Sequence, residues 1–189
     1  MFKLISLLLL LLSPAAPCAA SQTQLYTVKN GFTVSLPAGW IRETEVYGLT
    51  GGEKGVYGAD FLSPGGGEYP SRISVGYYAP GNLENGTFEK YIRRHSKPPL
   101  GANLDGKVYG RVKNGRAGNY YARVFDRKIF EFFPPRSLKA KKVFFYEKFY
   151  VIPVRKGFYV LRLTAPMTTA RAAAKLFDAV AASFIPMIR

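Results

Sequence analysis

Beyond residue 24 the apolar positions recur mainly with a period of two, and two stretches switch to helical spacing. Residues 25–28 and 32–36 alternate around Lys29, Asn30 and Gly31, and Asn-Gly between alternating runs predicts a hairpin. Pro37, Ala38 and Gly39 end the second strand and lead to Trp40, the only tryptophan. A glycine-rich loop follows (Gly48, Gly51, Gly52, Gly55, Gly58), then strands at 56–62 and 73–78. The first helical pattern runs from Thr87 to Ser96, with Phe88, Tyr91 and Ile92 on one face and Thr87 as its cap. Pro98, Pro99 and Gly101 stop it. Strands are predicted at 106–113, 119–132, 142–154 and 158–165, with Asn114-Gly115 as the turn between the first two. The second helical stretch places Ala173, Leu176, Phe177, Val180, Ala181 and Phe184 in one apolar stripe, with Thr168 or Thr169 as cap.

Two amphipathic helices need apolar surface to rest on. In the strand at 142–154, Val143, Phe145, Phe149 and Val151 alternate with Phe144, Tyr146, Tyr150 and Ile152, so neither side suits water throughout. The expected architecture is an α/β/α sandwich around a mainly antiparallel sheet of six to eight strands.

The segment from Phe32 to Trp40 (FTVSLPAGW) resembles the amino-terminal signature of PsbP-like domains, a strand ending in Pro-x-Gly-Trp. The segment from Gly157 to Pro166 (GFYVLRLTAP), followed by a helix closing on Ser183 and Phe184, is similar to that family's ending. The order of strands, the helix starting at Thr87 and the long hairpins also fit, so the resemblance spans nearly all of residues 21–189. It implies a small antiparallel sheet sandwiched by helices. It also implies a non-catalytic tendency, in a family of accessory subunits, binding proteins and exported bacterial proteins.

Residues 1–20 follow another logic. Lys3 precedes an apolar core from Ile5 to Leu12, Ser13-Pro14 ends it, and Cys18-Ala19-Ala20 offers small residues before Ser21. This is the layout of a cleaved secretory signal, too short to span a bilayer. One domain is expected over 21–189, in the periplasm or outside the cell. The single cysteine, Cys18, lies inside that segment, so disulfides and Cys-based zinc or nucleophile chemistry are excluded from the mature chain. Lipid attachment at Cys18 is the minor alternative, disfavoured by Pro17.

The full chain carries 27 lysines and arginines against 12 acidic residues, a net charge of +15. Such a charge attracts anionic partners in a salt-dependent way, or simply keeps an aromatic-rich domain soluble. In an exported protein the anion is an envelope component or an acidic protein rather than nucleic acid. The binding candidates are Arg136, Lys139, Lys141 and Lys142, beside Phe132, Phe133 and the prolines 134 and 135, with Arg93, Arg94 and Lys97 as a second group.

No catalytic or metal-binding residues and no cofactor are assigned, and a monomer is expected. His95, the only histidine, borders the first helix's apolar face and is expected to make an ordinary hydrogen bond. Glu43 with Glu45, and Glu84 with Glu89, do not repeat a calcium-loop spacing. The alternative is an envelope hydrolase assembled from dispersed carboxylates, with Asp60, Asp126, Glu131 and Glu147 as candidates. Asp126 and Glu147 are otherwise read as balancing cations across the sheet. Asn85-Gly86-Thr87 is read as a helix start rather than a glycosylation site.

Overall fold

The computed structural model describes residues 23–28, 31–43, 54–65, 68–102 and 104–188. The expected signal segment 1–20, Asn30, Glu45 and Gly48, Gly51 and Gly52 of the glycine-rich loop lie outside the described residues. The strands are β1 (Thr23–Val28), β2 (Phe32–Pro37), β3 (Ile41–Glu43), β4 (Val56–Leu62), β5 (Arg72–Tyr78), β6 (Val108–Tyr109), β7 (Lys113–Ala117), β8 (Tyr120–Phe133), β9 (Lys141–Pro153), β10 (Phe158–Pro166) and β11 (Ile185–Pro186). The helices are α1 (Phe88–Ser96) and α2 (Ala170–Ala182). An eight-stranded antiparallel sheet runs in the order β3-β4-β5-β10-β9-β8-β6, with β7 also pairing β8. The predicted amino-terminal hairpin belongs to a separate three-stranded sheet, β1-β2-β11.

The larger core lies on the face covered by α2 and the small sheet. Phe32, Val34 and Leu36 from β2 meet Phe61, Ile73, Leu161 and Leu163 from the main sheet, with Phe177, Val180 and Phe184 closing the layer. Alternation in β2 is complete, every second residue being buried. Trp40 is buried in the same cluster, and Gly39 takes φ +86° to turn the chain into it. On the opposite face Tyr91 packs on Phe125, Phe149, Val151, Phe158 and Val160, flanked by Phe88 and Ile92. The α/β/α sandwich is thus present, with the nine-residue α1 covering only part of its face. In β9, residues 149–152 are all buried, whereas Val143, Phe144 and Tyr146 are half-buried where the hairpin extends past the helices.

The caps divide. Thr87 Oγ1 accepts from Lys90 N at 3.2 Å, as expected of a helix start at Asn85-Gly86-Thr87. Thr169 occupies the cap of α2 but makes no capping bond; its hydroxyl donates to Pro166 O at 3.3 Å. The strand expected at 106–113 shrinks to Val108–Tyr109, and Asn114-Gly115 sits inside β7 rather than in a turn. The reversal comes at Gly118-Asn119, where Gly118 has φ +53°. Gly115 is needed for space: a Cβ there would lie 2.5 Å from Val124 Cγ2 on the paired strand.

Candidate functional site

Strands β8 and β9 pair out to Phe133 and Lys141, so residues 134–140 form the tip of a long hairpin. Arg136, Lys139 and Lys141 are exposed there, beside Leu138, which is fully exposed, and Phe132, which is 54% exposed. Lys142 does not join them. It is half-buried, ion-paired to Asp105, and its Nζ lies 4.1 Å over the Phe130 ring. Behind the tip, Lys107 lies over Phe130 at 4.6 Å and Lys128 over Phe144 at 4.4 Å, so aromatic rings hold the cations at this end of the sheet.

The second basic group also divides. Arg93 and Lys97 line a groove of about 780 Å³ between α1 and the segment 110–112, together with Arg111 and Arg123 over Phe88, Ile92 and Val112. Arg94 turns to the other flank of the helix and donates to Glu84 O at 3.0 Å. Residues 90–142, which build α1, β6, β7, β8 and the hairpin tip, contain 15 lysines and arginines but only 3 acidic residues. That stretch holds 12 of the chain's 15 net charges. The charge is concentrated in the segment that builds the β8–β6 edge of the sheet, not spread evenly along the chain.

Among the described residues, the dispersed carboxylates Asp60, Asp126 and Glu147 each engage a cation or a hydroxyl. Asp126 lies on the α2 face and accepts from the Tyr146 hydroxyl at 3.1 Å. The others share the α1 face, where a polar belt crosses the sheet. Arg72 bridges Glu43 at 3.1 Å and Asp60 at 3.7 Å. Further along, Glu147 is buried and accepts from Arg127 Nε at 2.5 Å and Thr164 Oγ1 at 3.2 Å, with Arg162 Nε 3.7 Å away. Glu147 thus balances a cross-strand cation as expected. Asp126 instead takes a tyrosine, and Lys148, opposite it in register, pairs with Asp178. Glu131 lines a cleft of about 270 Å³ with Arg72, Arg162, Tyr69 and Phe145.

His95 departs from expectation. Its Nδ1 is buried without a hydrogen-bond partner, and its ring lies against Tyr91 at 4.2 Å. Burial, with Arg127, Arg162 and Arg94 nearby, lowers its pKa to about 3, so the imidazole is neutral at physiological pH. Burial likewise raises the Tyr78 hydroxyl to about 12. The arginines of this face were not singled out in the sequence. Their signal is an alternation inside an apolar strand: Arg162 and Thr164 interleave with Leu161, Leu163 and Ala165. In the glycine-rich loop, Gly55 takes φ +70° ahead of β4, and Gly58 lies inside β4 where a Cβ would meet Val75 O at 2.3 Å.

No protein-family model matches the sequence, and no curated protein matches it. Solved structures do. A Bacteroides thetaiotaomicron protein superposes with a TM-score of 0.48 at 11% identity, over 82% of this chain, which spans 44% of that one. LpqN of Mycobacterium tuberculosis, described as involved in cell envelope biogenesis, gives 0.43 at 14% identity, over 87% of this chain and 90% of that one. The solution structure of the cyanobacterial PsbP, CyanoP of Synechocystis sp. PCC 6803, gives 0.53 at 17% identity, over 93% of this chain and 98% of that one. With near-complete coverage of both chains, the fold is PsbP-like.

Proposed function

We propose that this chain is an exported, non-catalytic binding or accessory module of the bacterial envelope, a single domain over residues 21–189 that meets an anionic surface through its basic end. The observation that carries this reading is the gathering of 12 of 15 net charges into residues 90–142, which build α1, the β8–β6 edge of the main sheet and the hairpin tip. A charge serving solubility alone has no reason to concentrate there. Arg136, Lys139 and Lys141 flank the exposed Leu138 and Phe132 at the hairpin tip, a combination suited to the boundary between headgroup and acyl region. Export rests on the signal layout of residues 1–20, and among the described residues no helix is long and apolar enough to cross a membrane.

The test is co-sedimentation of the mature protein with phosphatidylglycerol-containing vesicles across a salt series. Binding at low salt should weaken steeply as salt rises. Each cation near an anionic membrane contributes about 1 kcal/mol, so neutralising Arg136, Lys139 and Lys141 together should lower affinity ~100-fold. Neutralising Arg93 and Lys97 should lower it less, because the tip adds apolar contact. Absence of vesicle binding at low salt sinks the proposal, and equal losses from both sets remove the hairpin from it.

A further inference from the structure

The flank of α1 away from the basic groove holds a second, differently built cleft. It measures about 480 Å³ and is lined by Tyr78, Leu83, Glu84, Asn85, Tyr91, Arg94, His95 and Arg162. Three buried side-chain polar atoms lack a hydrogen-bond partner among the described residues: Asn85 Oδ1, His95 Nδ1 and Arg162 Nε. All three belong to residues that line this one cleft. An unsatisfied buried polar atom costs about 1–3 kcal/mol, so a fold that gathers three in one place has a use for them.

Each of the three atoms lacks a hydrogen bond for a specific reason. Arg162 Nε lies 3.7 Å from Glu147 Oε1, too far for a hydrogen bond, and Glu147 is already served by Arg127 and Thr164. Asn85 is fixed through its backbone N–H, which donates to Asn82 Oδ1 at 2.9 Å, leaving its side-chain oxygen unused. Thr87 caps the helix, so Asn85 is not needed for that. His95 is held by ring contacts with Tyr91 and Phe149 rather than by a polar partner. Among the described residues, the only carboxylate lining the cleft is that of Glu84, which pairs with Lys54 at 3.7 Å.

From this set we infer that the cleft between α1 and β10 binds a small hydroxylated carboxylate, a sugar acid. The guanidinium groups of Arg162 and Arg94 supply the charge that a carboxylate requires. Asn85 Oδ1 is an acceptor and demands a donor, which a hydroxyl provides and a bare anion such as acetate does not. The neutral imidazole of His95 exchanges hydrogen bonds with a hydroxyl in either sense. The volume lies within the usual range for small-ligand sites. This inference does not depend on the hairpin tip or on the groove of Arg93 and Lys97, since the cleft shares no residue with either.

The experiment is an NMR titration of the 15N-labelled mature protein, following the Arg162 Nε–H and His95 ring resonances, with D-glucuronate, D-glucose and acetate as probes. Glucuronate should shift both resonances and saturate within roughly 1–10 mM, the range of a weak small ligand. Glucose and acetate should bind at least tenfold more weakly. Arg162→Lys should weaken glucuronate at least tenfold, and so should Asn85→Asp, which leaves the Glu147 cluster untouched and sets a like charge against the carboxylate. An oligosaccharide ending in glucuronate that binds more tightly than the monomer identifies a polysaccharide as the source; equal affinity identifies the free sugar acid. Equal response to glucose or to acetate overturns the inference, because the cleft then does not read both groups. No response to any probe also overturns it, and assigns the three atoms to ordered water alone.

Discussion

Acidification should unfold this protein partly through one residue. The neutral His95 ring is enclosed by Tyr91 and Phe149 and faced by Arg127, Arg162 and Arg94, which together lower its pKa from the ordinary 6.5 to about 3. In the unfolded chain the same ring takes up a proton near pH 6.5. Between those two values the unfolded state binds more protons, so stability rises with pH there. The contribution of His95 is complete above about pH 6.5 and is lost as the pH falls toward 3. From pH 7 to pH 4.5 the full shift corresponds to a loss of about 2.5 kcal/mol, and partial solvent access of the ring reduces this to ~1–2 kcal/mol. Urea unfolding at both pH values should show the native chain losing that much more stability than His95→Phe, which keeps a ring but has nothing to protonate. The comparison between the two proteins removes the titration of carboxylates common to both. Parallel pH profiles for the two proteins, or a His95 ring that titrates near 6.5, would refute the reasoning.

Two further substitutions test the packing. Phe177 is fully buried between α2 and Tyr150, and Phe177→Ala should cost about 3–5 kcal/mol in chemical denaturation; an unchanged midpoint means that α2 does not seal the larger core. Glu147→Ala should cost about 3–5 kcal/mol because it strands Arg127 beneath α1, and Glu147→Met with Arg127→Met should recover part of that loss, which thermal melts of the three proteins would report.

Where a residue's role is set by its neighbours in sequence, the sequence revealed it. The stripe on α2, the alternation of β2 and the Thr87 cap are local patterns, and all three appear as expected. Asn114-Gly115 misled because a glycine in a strand has two causes, and only the structure shows that Gly115 makes room for Val124. The second sheet was illegible because it depends on β11, which reaches back to β2 across the length of the chain. The basic group fared unevenly for a similar reason. Arg136, Lys139 and Lys141 share a tip by adjacency, but Lys142 is claimed by Asp105, 37 positions away. The cleft on the α1 flank joins Asn85, His95 and Arg162, whose proximity comes entirely from α1 lying across β10.

The pairing of β2 with β11 has a consequence for the order in which the chain matures. Ser35 N donates to Ser183 Oγ at 2.8 Å, Met187 N donates to Gly31 O at 2.9 Å, and the Tyr159 hydroxyl donates to Gly31 O at 2.5 Å. The hairpin that leaves the ribosome early is therefore latched by residues made almost 150 positions later. Until residues 183–188 emerge, β2 has an open edge and Phe32 has no Phe184 to rest on. Contacts so distant in sequence close slowly, because loop entropy must be overcome before they form. The amino-terminal hairpin thus gains its second neighbouring strand only after the whole of the larger sheet has been made.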